Sequence, residues 1–148
     1  MRLVQVVAIA LLVGVALLWP IPNVSAWNLV SMYAYVDSPA NGATVSGEIT
    51  CSGHSYFELT GGTGESVVLE HWQKVTRLSD YTVMLETSGA AKYTTLNWTT
   101  SGTKTHTYLF IRWPDTDEWD EGQYKSKQFA DCEEEKREMH EHTWTVDR

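Results

Sequence analysis

His140-Glu141-His142 sets two imidazoles one residue apart. On a β-strand that spacing puts both rings on one face, an arrangement that borderline metals such as zinc use. His106 would lie near them if its strand pairs with theirs, but a register with Arg112 opposite Glu138 sets His106 opposite Trp144 and leaves His142 diagonal at roughly 7 Å. The competing reading of His140 and His142 is a pair of ordinary rim residues. A second cluster, Asp115-Thr116-Asp117-Glu118-Trp119-Asp120-Glu121-Gly122, packs five carboxylates and a turn glycine into eight residues. Hard cations such as calcium take roughly six to eight oxygens, which makes Asp115, Asp117, Asp120 and Glu121 a calcium candidate. The spacing is not that of an EF-hand, because Trp119 stands at a ligand position, so a solvated acidic hairpin tip competes with the calcium reading.

Signals for catalysis are absent from the motifs that usually carry it. No serine sits in a Gly-x-Ser-x-Gly elbow, and Gly61-Gly62-Thr63-Gly64 is followed by Glu65 rather than the Lys of a phosphate loop. The chain reads as a non-enzyme without a cofactor, calcium aside. Asn97-Trp98-Thr99 is an N-glycosylation sequon whose Asn97 side chain alternation turns toward solvent, so a glycan depends on the host.

The compartment follows from the N-terminus. Residues 3–19 are uncharged behind the single Arg2, Pro20 and Pro22 end the apolar run, and Val24-Ser25-Ala26 offers a small-residue cleavage pattern. Residues 1–26 therefore read as a secretory signal helix, with an uncleaved anchor as the alternative. Export places Cys51 and Cys132 where oxidation is permitted, and a Cys51–Cys132 disulfide is expected. Chain entropy would make it worth about 4–5 kcal/mol.

Removal of 26 residues from 148 leaves 122, one domain. Nineteen acidic residues against eleven basic give a net charge of −8, which excludes a general nucleic-acid binder. Seven Trp and seven Tyr residues exclude a disordered tail.

Period-two stretches separated by turn residues predict an all-β chain with about seven strands, at residues 28–36, 44–52, 66–76, 81–87, 93–99, 105–113 and 138–146. Residues 129–139 are rich in Glu, Lys and Arg and predict two or three helical turns. Residues 105–113 are apolar on both faces, with Tyr108 and Phe110 on one and Leu109, Ile111 and Trp113 on the other, so a cover is expected on each side.

Three segments carry a resemblance. Ser38-Pro39-Ala40-Asn41-Gly42-Ala43-Thr44-Val45-Ser46-Gly47 resembles the opening of bacterial-type immunoglobulin-like domains. Leu96 to Thr107 is similar to that family's E-strand, glycine turn and F-strand, and Thr143-Trp144-Thr145-Val146-Asp147 to its last strand. The resemblance implies an immunoglobulin-like antiparallel β-sandwich over residues 27–148. Against that frame residues 113–137 form an acidic insertion before the last strand, tethered by the disulfide, and strand 28–36 is an addition that could pair with its own sheet or a neighbour's.

These features lead to a secreted or cell-surface binding module. Its acidic insertion and turn tips would contact a protein or glycan, with Trp27, Tyr33 and Tyr35 as an aromatic contact surface. The alternatives are a filament subunit that self-associates by strand donation, and a metal-binding secreted protein. Membrane contact is expected only if the N-terminal segment is retained.

Overall fold

The computed structural model describes residues 27–133 and 136–148, so the expected signal segment lies outside the described residues. Alternation builds the strands. In β1 (Asn28–Ser38), Met32, Ala34 and Val36 are buried while Tyr33, Tyr35 and Asp37 face solvent. Then come β2 (Thr44–Val45), β3 (Cys51–Gly61), β4 (Ser66–Arg77), β5 (Val83–Glu86), β6 (Tyr93–Asn97), β7 (Gly102–Arg112), β8 (Gly122–Cys132) and β9 (Lys136–Val146). Single 3-10 turns lie at Gly89–Lys92 and Thr116–Glu118.

The strands form two sheets, ordered β1-β3-β7 and β2-β9-β8-β4-β5, with β6 also beside β4. Pairing is antiparallel except between β2 and β9. The first strand thus contributes to one sheet and its short continuation to the other. This is immunoglobulin-like connectivity, in which the sheets cover each other's apolar faces. Strand 28–36 pairs with β3 of its own chain. Among the described residues no helix is long and apolar enough to cross a membrane.

Two apolar clusters fill the space between the sheets. One gathers Met32, Phe57, Leu59, Val67, Leu69, Trp98 and Cys132; the other gathers Cys51, Val75, Phe110, Tyr124, Trp144 and Val146. Each such side chain removed from water contributes about 1.5–3 kcal/mol. Between them runs a belt of buried polar residues, Ser55, His71, Gln73, Ser126 and Gln128. The Ser55 hydroxyl donates to the Phe129 carbonyl at 2.8 Å, and Gln128 Nε2 donates to Ser55 Oγ at 2.7 Å. The belt leaves Nδ1 of His71, Nε2 of His106, both amide atoms of Gln73 and Oε1 of Gln128 without protein partners. His71 stacks on Tyr108 at 4.1 Å and lies 5.3 Å from His106. Burial, with the neighbouring His106, pushes His71 down to about 4, and burial lowers His106 as well.

Several expectations are corrected by this arrangement. Residues 113–137 are not an insertion. Their centre is β8, an interior strand of the larger sheet between β4 and β9. The helix expected at 129–139 is the end of β8 and the start of β9: helix-forming Glu, Lys and Arg side chains yield to strand pairing on both sides of β8. Strand 44–52 divides into β2 and the start of β3, which run in different sheets. β7 pairs with β3 rather than with the last strand, so His106 points into the belt and not toward His142. Among the described residues nothing covers the outer face of β7, and Leu109 and Trp113 are exposed there.

The disulfide is not formed. β3 and β8 run side by side in facing sheets, with Ser55 against Phe129, so Cys51 lies toward one end of the sandwich and Cys132 toward the other. Seven residues of strand at about 3.3 Å each separate them, roughly 23 Å, far beyond the reach of a bridge.

Candidate functional site

The register between β1 and β3 sets Tyr33 opposite Tyr56 and Tyr35 opposite His54, all on the outward face of the smaller sheet. Buried Met32, Ala34 and Val36 hold β1 against the core from the other side, so alternation obliges the tyrosines to face water. Cross-strand pairing then assembles a continuous aromatic platform. The Tyr33 and Tyr56 rings stack at 4.9 Å, Tyr33 meets Tyr35 at 5.3 Å, and Tyr35 lies 5.6 Å from His54 and 5.2 Å from His140. His140 in turn contacts His142 at 4.8 Å. Tyr35 is 47 % exposed and Leu109, which β7 places opposite His54, is 58 % exposed. This is a built surface and not a few scattered rings.

Polar groups frame the rings. Asp37 Oδ2 lies 2.8 Å from Nδ1 of His54, fixing the imidazole, and the Tyr56 hydroxyl points to Glu58 at 3.4 Å. The backbone N–H of Val36, on the free edge of β1, donates to His140 Nδ1 at 2.9 Å. That bond leaves the proton of the neutral ring on Nε2. Burial, followed by the charge of His142, depresses the His140 pKa and favours this neutral form. Nδ1 of His142 lies 2.9 Å from the Pro39 carbonyl.

His140 and His142 therefore share a face, as the sequence predicts, but each already commits one nitrogen to backbone. Among the described residues no three His, Cys, Asp or Glu side chains gather as a metal site. The acidic turn is also internally engaged. Asp115 accepts from the Asp117 N–H at 3.0 Å, Asp117 accepts from the Gly47 N–H at 3.2 Å, Asp120 pairs with Arg77, and Glu121 lies 3.9 Å from Arg148. Trp119 explains why the turn closes this way: its ring tilts against Tyr124 at 5.2 Å and anchors the loop on the second core cluster. Asn97 is exposed at the end of β6.

Of the aromatic surface expected from the sequence, Tyr33 and Tyr35 face out, but Trp27 is buried in the first core cluster and takes no part in it, whereas Tyr56 and His54 join only through register. The alternation of aromatic residues at 54 and 56 is the signal that could have found them.

No family model and no curated protein matches this chain. Solved structures similar to it include the CARDB domain of a Pyrococcus furiosus protein, in complex with di-metal ions, at 14% identity and TM-score 0.40, covering 84% of this chain and 97% of that one. A β-glucosidase from Listeria innocua in complex with glucose is similar at 11% identity and TM-score 0.40, covering 80% of this chain and 16% of that one. The sporulation control protein Spo0M from Bacillus subtilis is similar at 11% identity and TM-score 0.37, covering 84% and 51%.

Proposed function

We propose that this protein is a non-catalytic, extracytoplasmic binding module whose aromatic platform takes a neutral glycan chain. The observation that carries the reading is the contiguous set of Tyr33, Tyr35, Tyr56 and His54 on one outward sheet face. A pyranose has a face of C–H groups with slight positive charge, which lies favourably on the negative face of a phenol ring. Its hydroxyls, directed outward around the ring, meet the polar groups at the platform's edge: Asp37, Glu58, and the Nε2 proton of His140. A protein partner would call for more aliphatic and arginine anchors than this face offers. The N-terminal signal expected from the sequence and an immunoglobulin-like fold both suit an exported binding role.

Affinity electrophoresis through gels containing soluble β-glucan, xylan or mannan tests the proposal. Retardation by at least one polysaccharide is expected, and Y33A/Y35A should lose it while keeping the parent's melting temperature. No retardation by any glycan in a broad array, or retardation that survives Y33A/Y35A, would overturn it.

A further inference from the structure

The outer face of the larger sheet carries a groove of about 310 Å³, lined among others by Trp72, Lys74, Tyr81, Lys125 and Lys127. Its volume is at the small end of ligand sites, enough for one or two rings. Three features of it are not required by the fold. The first is charge. In a chain of net charge −8, the β4–β8 register sets Lys74 directly opposite Lys127, with Lys125 opposite Thr76. Like charges opposed across a ladder are destabilising, and a structural role would favour an acid at one position. Glu141 answers part of this charge, lying 3.1 Å from Lys125 and 2.8 Å from Lys127. On its other flank Lys74 faces Glu86 of β5 across the ladder, but that carboxylate is bonded to Lys92 at 2.9 Å; Lys74 itself is in no ion pair among the described residues, and its ammonium sits 5.8 Å from the Trp72 ring.

The second feature is strain. Tyr81, at the lip, has φ +60°, a left-handed conformation that a residue with a Cβ adopts at a cost. The third is the scaffold that imposes it. Arg77 donates to both oxygens of Asp80, Asp80 in turn accepts from the N–H and hydroxyl of Thr82, and Arg77 also pairs with Asp120. These bonds fix the residues on each side of Tyr81 and leave its ring 76 % exposed at the groove. Glycine would meet the backbone requirement at that position without strain; the tyrosine adds an exposed ring at the groove.

We infer that this groove is a second binding site, for an acidic sugar, with the anionic group between Lys74 and Lys127 and the ring against Tyr81. The ammonium pair supplies the missing counter-charge for a carboxylate or sulfate, and the phenol supplies a face for the ring. It lies on the opposite sheet from the aromatic platform and is independent of it.

Amide chemical shifts of the folded protein, titrated with glucuronic acid, glucose 6-sulfate, glucose and inorganic sulfate, test the inference. Saturable shifts at Lys74, Tyr81 and Lys127 are expected with glucuronic acid or glucose 6-sulfate, and the stronger of the two identifies the anion. K74Q should weaken that binding about fivefold or more. Y81G should weaken it too without lowering the melting temperature, because glycine accepts the left-handed conformation. Y33A/Y35A should leave it unchanged. Absence of shifts, equal shifts with glucose, shifts with sulfate alone of the same affinity (an adventitious ion only), or affinity unaffected by K74Q and Y81G would each overturn it.

Discussion

The indole of Trp98 lies directly on Gly61, where an added Cβ would stand 2.9 Å from Cε3 and closer still to Cδ2 and Cε2. The Trp98 Nε1 donates to the Gly102 carbonyl at 2.9 Å, so the ring cannot slide away without losing a bond. The contact closes the end of the sandwich where β3 turns into β4 and β6 into β7. G61A should therefore destabilise the protein by about 2–3 kcal/mol, the cost of overpacking a rigid site. Urea unfolding measures it, and the near-ultraviolet circular dichroism of Trp98 should change in parallel. A variant as stable as the parent would show that the indole has room to move.

The thiols should behave as buried groups in separate clusters. Burial pushes Cys51 up to about 12, which leaves almost no thiolate at neutral pH. Reductant should therefore leave the melting temperature unchanged, and Cys51 should react with a thiol reagent only after denaturant is added. A drop of several degrees in dithiothreitol would indicate a bridge and contradict the strand geometry.

What the sequence made legible depends on which residues face inward. β1 was readable because Met32, Ala34 and Val36 alternate cleanly with polar or aromatic outward positions. β8 was not, because its inward positions include Ser126 and Gln128 while its outward ones include Phe129 beside Lys125 and Lys127, so the apolar period disappears. The stretch of β3 just after Ser52 was hidden for the same reason: Gly53 and Ser55 face the belt, and His54 and Tyr56 face out. Gly53 is itself required there, since a Cβ would meet Gln73 Oε1 at 2.6 Å and the Tyr35 carbonyl at 2.7 Å. The lysine groove was invisible for a different reason. Lys74 and Lys127 are distant in sequence and meet only through the β4–β8 register.

Calcium should not stabilise the protein through the acidic turn. Asp115 and Asp117 hold backbone N–H groups and Asp120 holds Arg77, so a cation would have to displace existing bonds before gaining new ones. The melting temperature should be the same in millimolar calcium and in chelator. D117N should cost less than about 1 kcal/mol, because its amide oxygen can still accept from Gly47 and the site is exposed. A calcium-dependent rise that D117N abolishes would restore the metal reading.

Acid should weaken the fold through His71. The ring is 2 % exposed, packed against Tyr108 and His106 of β7, Phe57 of β3 and, through Nε2 at 2.9 Å, the Thr94 hydroxyl of β6. No carboxylate faces it in these contacts, so the charged form has nothing to offset its lost hydration. Its pKa falls from 6.5 to about 4 on folding. Between those values the unfolded chain binds the extra proton, so stability is complete above pH 6.5 and declines as the pH falls toward 4. The shift corresponds to on the order of 3 kcal/mol, with His106 acting in the same direction. Urea midpoints measured from pH 7.5 to 4 should trace that decline. H71F keeps the stack on Tyr108 and should flatten most of it. A variant that retained the full decline would assign it to the carboxylates of the surface ion pairs instead.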